Sequence, residues 1–154
     1  MSNTIDTFEN ILDTQGVLIY ENKGKSMMPL IKEGRDKMVI VKKSQGRLRQ
    51  YDVPLYKRKN GKYVLHRIME VRKNDYVICG DNCWRCEYGI TDEQIIGVLS
   101  SVIRKGKTIS ITDKYYQHYV SIWCKPFLLR RCVFWLRDLL ERIYNKVKSI
   151  LKQQ

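Results

Sequence analysis

The chain has no run of about 18 or more apolar residues, so no segment reads as a clean membrane-spanning helix. It opens on no secretory signal, because residues 1–16 carry three acids and lack a basic start. Its five cysteines, Cys79, Cys83, Cys86, Cys124 and Cys132, are an odd set without regular spacing. That argues against a secreted disulfide framework. Internal repeats and low-complexity segments are missing as well. These absences point to a reducing compartment, so a cytoplasmic or peripherally membrane-associated protein is expected. Acids are also scarce: 16 against 29 Lys and Arg leave a net charge of +13. The imbalance is uneven, with nine basic and two acidic residues in 114–154. A tail of that kind suits anionic lipid, nucleic acid or an acidic partner.

What is present is enough for one domain with its own core plus an appendage, at 154 residues. Ile5, Phe8 and Leu12 fall at helical spacing, so Thr4 to Thr14 is predicted as a short helix that Gly16 can end. Val17 to Tyr20 reads as a short buried strand, and Met38 to Val41 as a second. Asp52 to Tyr56 reads as a third, its Pro54 marking an edge or a bulge. Asn60-Gly61 is a turn signal, so residues 53–71 are expected to form a hairpin. The run Tyr63 to Val71 alternates strongly, placing Val64, His66, Ile68 and Glu70 on one face. Tyr76 to Cys79, Ile95 to Ile103 and Thr108 to Ile111 complete the strands. Short strands without intervening helices imply a mainly β fold, antiparallel and partly closed.

After Thr112 the periodicity becomes helical. Leu129, Val133, Leu136, Leu140, Ile143, Val147 and Ile150 recur every three or four residues, and Pro126 suits a first turn. Trp123, Phe127, Phe134 and Trp135 make the start aromatic, and most Arg and Lys lie off the apolar stripe. Such a helix fits a membrane interface, and it equally fits packing on its own domain or on a partner. The expected organisation is an N-terminal helix (1–16), a β domain (17–112) and a basic amphipathic helical tail (113–154).

The stretch Gly24-Lys25-Ser26-Met27-Met28-Pro29 places a serine between a glycine and a proline. Glycine permits close approach of a bound chain, and proline fixes the exit direction. A hydroxyl there is a nucleophile only if a base can reach it; otherwise it is a solvated turn serine. Of the two histidines, His118 sits in a linker and reads as exposed or packed, whereas His66 lies mid-strand. Asp81, in Gly80-Asp81-Asn82, ends the strand expected to pair with the histidine strand. Ser26, His66 and Asp81 on one rim would meet the geometry of a triad.

Those residues resemble type I signal peptidases. Gly24-x-Ser26-Met27-x-Pro29, followed by Gly34 and Asp36, is similar to the nucleophile box. Tyr51-Asp52-Val53 fits a later box in which glycine usually stands at the tyrosine. Leu65-His66-Arg67-Ile68 fits the general-base strand, Gly80-Asp81-Asn82 the acidic turn, and Ile95-Ile96-Gly97 the closing strand. A histidine before that arginine is the form found in archaeal and endoplasmic-reticulum signal peptidases, where bacterial ones carry lysine. The resemblance implies a signal-peptidase-like β domain, with Ser26 as nucleophile, His66 as general base and Asp81 supporting the base. It implies Gly24, Lys25, Met27 and Pro29 around the substrate and oxyanion, the Ser26 N–H being one donor. Arg67, Gly80 and Asn82 would be supporting residues. The family's second acid has Glu87 and Asp92 as the nearest acids here, and the usual membrane anchor before the serine box has no counterpart.

Cleavage of signal or leader peptides after small residues is therefore the leading expectation, with an extended peptide or protein segment as substrate and no cofactor. The alternative is a catalytically silent basic module whose residues 114–152 grip an anionic membrane surface or nucleic acid. Nucleic acid is disfavoured, since no aromatic RNA-binding motif or helix-turn-helix pattern is present. A repressor-type autoprotease would need a DNA-binding domain in the 23 residues before the serine box. Cys83-Trp84-Arg85-Cys86 has no second pair at zinc spacing and no thioredoxin-like flanks, so loop cysteines, not a metal or redox centre, are expected. Cys79 is expected to face the core.

Overall fold

A computed structural model describes residues 7–21 and 23–151. Helix α1 spans Phe8–Gln15, so residues 4–6 of the predicted helix lie outside the described residues. Thr7 caps it by accepting the Asn10 N–H at 3.3 Å, and Gly16 ends it in the left-handed region at φ 73°. Leu12 anchors the helix in the core.

The β body follows as β1 (Val17–Glu21), β2 (Asp36–Lys42), β3 (Pro54–Lys57), β4 (Tyr63–Leu65), β5 (Arg67–Val71), β6 (Tyr76–Cys79), β7 (Glu87–Ile90), β8 (Ile95–Arg104) and β9 (Lys107–Ser110). Every pairing is antiparallel. One sheet runs β1-β2-β8-β3-β4, with β9 also on β8, and forms a half-barrel; the other runs β5-β6-β7. The long β8 is the spine. At Gly97 it passes so close to α1 and β2 that a Cβ would meet Ile40 Cγ2 at 2.7 Å and Leu12 Cδ1 at 3.0 Å.

Phe8 bridges the outer strands of the larger sheet, meeting Tyr20 of β1 edge-on at 4.9 Å and Tyr63 of β4 in a tilted contact at 4.7 Å. One core holds Leu12, Met27, Ile31, Ile40, Val53 and Leu99. A second holds Tyr56, Ile68, Tyr76 and Ile78 under the smaller sheet.

Several expectations need correction. The predicted strand from Tyr63 to Val71 is broken at His66: β4 pairs with β3, and β5 pairs with β6 in the other sheet. A bulge between Ile68 and Glu70 also resets the alternation, which leaves Glu70 exposed. Strand β1 is not buried. It is an edge strand with Val17 and Ile19 exposed and Leu18 inward. Pro54 is not on an edge. It opens β3 between β8 and β4, and the other expectation for it, a bulge, is met: the register shifts between Leu55 and Tyr56.

The tail divides differently as well. Helix α2 (Lys114–Tyr119) and a π-helical turn (Val120–Cys124) pack Tyr116, Val120 and Cys124 into the first core. Among the described residues the chain leaves the body in α3 (Phe127–Leu151), where Arg130 and Phe134 are the buried residues. No helix among the described residues is long and apolar enough to cross a membrane.

Candidate active site

Ser26 sits on a turn whose neighbours are driven inward. Met27, Leu30 and Ile31 are buried, and the turn is closed by Met28 N–H to the Lys25 carbonyl at 3.1 Å and Ile31 N–H to the Met27 carbonyl at 2.9 Å. The Met28–Pro29 peptide is cis. The far end of the loop is held by Asp36, which accepts the Lys32 N–H at 2.9 Å and the Arg104 Nε at 2.9 Å. Arg104 also donates to the Leu30 carbonyl at 2.6 Å. Burial would raise the Asp36 carboxyl, but the bonds from Arg35, Arg104 and the Lys32 N–H outweigh it and hold it at about 2.

The Gly80-Asp81-Asn82 turn clamps the serine loop from the other side. The Asn82 N–H donates to the Ser26 carbonyl at 2.7 Å, and Asn82 Nδ2 to the Lys25 carbonyl at 3.1 Å. A Cβ on Gly80 would lie 2.7 Å from the Ser26 carbonyl oxygen, 3.0 Å from Cys83 Sγ and 3.2 Å from His66 Nε2. Serine loop, imidazole and turn therefore converge on one point that only glycine leaves open.

His66 stands where the chain passes from one sheet to the other. Its N–H reaches the Pro54 carbonyl at 3.4 Å, and the next residue turns fully inward. Successive side chains in extended backbone point opposite ways, so burying Arg67 sends the imidazole toward the serine side. Ser26 and His66 line one open cavity of about 560 Å3, with Phe8, Tyr20, Tyr63 and Leu65 among its walls and Lys23 and Arg58 adding positive charge.

Asp81, expected to support the base, is bonded to other groups. Its carboxylate takes Arg67 Nε at 2.8 Å and Nη2 at 2.7 Å, and it accepts the Tyr119 hydroxyl at 2.9 Å. Trp123 Nε1 donates to the Asp81 carbonyl at 2.9 Å. Asp81 thus binds the acidic turn to the inward arginine and to the α2–π segment. The acid facing His66 is Glu87, whose Oε1 lies 3.3 Å from His66 Nδ1. That contact is close but unaligned, and Nδ1 has no hydrogen bond in this state.

Glu87 is held mainly by others: Arg58 Nε at 2.8 Å and the Tyr56 hydroxyl at 2.8 Å. Burial would raise its carboxyl, yet His66, Arg58 and Tyr56 together keep it well below the usual carboxylate range. Glu87 opens β7, a strand whose Glu-Tyr-Gly-Ile sequence shows no alternation, and that short pattern hides it.

The remaining expected residues separate. Gly24 is in the left-handed region at φ 100° and Lys25 is exposed. Met27, expected near substrate, is fully buried in the core. Pro29 faces a different, smaller cavity with Tyr115, Ile122 and Trp123. Tyr51, where the resemblance would put glycine, has φ 75°. A left-handed tyrosine costs about 1–2 kcal/mol, and the turn is held by Arg67 Nη1 donating to the Tyr51 carbonyl at 2.8 Å.

Cys79 is buried and donates to the Cys83 and Arg85 carbonyls at 3.4 Å. Among the described residues, no group of three His, Cys, Asp or Glu has the arrangement of a metal site. His118 is exposed on α2. The chain matches no protein-family model and no curated protein.

Proposed function

We propose that this chain is a serine endopeptidase of the signal-peptidase type, with Ser26 as nucleophile and His66 as general base. The observation that carries the reading is the shared cavity: Ser26 and His66 open onto one space large enough for a peptide segment. An extended substrate would pair along an outer strand of the half-barrel, β1 or β4, and bring its scissile carbonyl to Ser26. Ser26 Oγ attacks that carbon while its proton passes to His66 Nε2. The Ser26 N–H is the proposed donor to the oxyanion. The imidazolium then protonates the leaving amine, and water repeats the sequence on the acyl-enzyme.

Glu87 takes the place first given to Asp81. It stays ionised across the working range, so a charged imidazole forming 3.3 Å away is stabilised by the opposite charge. A small rotation of the imidazole would align Nδ1–H with Oε1 and fix the tautomer that leaves Nε2 free as base. Small residues before the scissile bond, as in signal and leader peptides, follow from the resemblance.

A peptide library incubated with the full chain tests the reading, with products read by mass spectrometry. New termini should appear with wild type. Ser26→Ala and His66→Ala should each lower the rate by about a thousandfold or more while remaining folded. Cleavage by His66→Ala at the wild-type rate would remove the assigned base. No cleavage by wild type would favour the silent-scaffold alternative.

A further inference from the structure

Helix α3 is about 37 Å long by its 25 residues, and it meets the body along one row only. Arg130 and Phe134 are buried in that row, and Asp138 accepts Trp84 Nε1 at 3.0 Å one turn further on. At roughly 100° per residue, the apolar stripe lies nearly opposite. Val133, Leu136, Leu140, Ile143, Val147 and Ile150 are 50–58% exposed. A chain rarely leaves so long an apolar stripe bare without a use for it. Packing of this stripe on its own domain is therefore removed, which leaves a membrane interface or a partner of the readings open from sequence.

Three observations decide what covers it. The apolar arc is wider than a coiled-coil seam, because Leu128, Trp135, Tyr144 and Leu151 flank the stripe and are also exposed. The charge beside it is mainly positive: Arg131, Arg137, Arg142, Lys146 and Lys148 against Asp138 and Glu141, with Asp138 paired to Arg137 at 3.0 Å. A second copy would bring the same positive charge to the seam. Long Arg and Lys side chains flanking an apolar face, with an exposed tryptophan, instead suit a headgroup layer of opposite charge.

We propose that α3 lies in the interface of an anionic lipid surface, its stripe in the acyl boundary and its Arg and Lys among the headgroups. The helix rests on the surface without crossing it. The body is held by Arg130, Phe134 and Asp138 on the helix's upper side, so binding needs no unfolding. The inference does not depend on the peptidase reading.

Flotation of the full chain with phosphatidylcholine vesicles, with and without phosphatidylglycerol, tests it. Binding should be strong only with phosphatidylglycerol and should weaken as salt rises from about 50 to about 500 mM. Leu136→Asp with Ile143→Asp removes no buried contact and should lower partitioning by about a hundredfold. Arg142→Glu with Lys146→Glu, which spares the stripe, should lower it by about tenfold or more. Equal binding to neutral and anionic vesicles, or none to either, overturns the proposal. So does a wild-type dimer in analytical ultracentrifugation that Leu136→Asp with Ile143→Asp dissolves.

Discussion

Gly80 occupies the point shared by the Ser26 carbonyl, Cys83 Sγ and His66 Nε2. Gly80→Ala must displace the serine loop or the imidazole, and a displacement of that size is expected to lower kcat/KM by about a hundredfold. Steady-state kinetics beside a thermal melt checks this; an unchanged rate would place the reacting atoms elsewhere. Asp81 and Glu87 separate by what each loses. Asp81→Asn leaves the fully buried Arg67 without its counter-charge and should cost about 3–5 kcal/mol in a urea melt. On the proposed mechanism Glu87→Gln should lower kcat by about a hundredfold with little change in KM, because Glu87 would act through His66 and not on the substrate. The reverse pattern would restore Asp81 as the orienting acid. That Ser26, His66 and the Gly80 turn would lie on one rim was expected from the resemblance; spacing alone left Ser26 open as a solvated turn serine. The partner of each was not legible, since Asp81 closes a predicted strand whereas Glu87 lies in a stretch read as loop, and only folding decides which faces the imidazole.

Strand β2 begins at Asp36, which ties the serine loop to β8 through Arg104. Its carboxyl is held at about 2 against an ordinary 3.8. The folded value is the lower one, so the stabilisation is fully present above about pH 4 and is lost as pH falls toward 2. It amounts to about 2 kcal/mol, the side chain being inaccessible. Asp36→Asn should lose that amount near pH 7 and show a flatter stability profile between about pH 4 and pH 2 in urea melts. An unchanged acid limb would mean that the clamp carries no stability.

Most strands were readable because their apolar spacing matches one buried face. The run from Tyr63 to Val71 was misread as one strand because nothing in it signals a break. No glycine or proline stands at His66, and the break arises from the switch between sheets and the inward turn of Arg67. Strand β7 was missed because four residues carry too little pattern.

The whole chain is a mainly β body with one long helix extending from it. Sequence periodicity located that helix, with Pro126 one residue before its start at Phe127, but the expected tail starts at residue 113, whereas residues 114–124 pack on the body. Tyr116, Tyr119 and Trp123 recur at helical spacing, yet their purpose, closing the core and holding Asp81, is visible only in three dimensions. The excess positive charge was legible from composition; that the apolar stripe of α3 faces away from the body was not. At this scale the proposed function needs a single serine made reactive by a histidine that it meets only through folding. Acylation of the full chain by a serine-directed phosphonylating probe, mapped by mass spectrometry, tests it most directly. The expected result is one adduct, on Ser26, that is lost in His66→Ala. An unlabelled Ser26, or equal labelling with and without the imidazole, would contradict it.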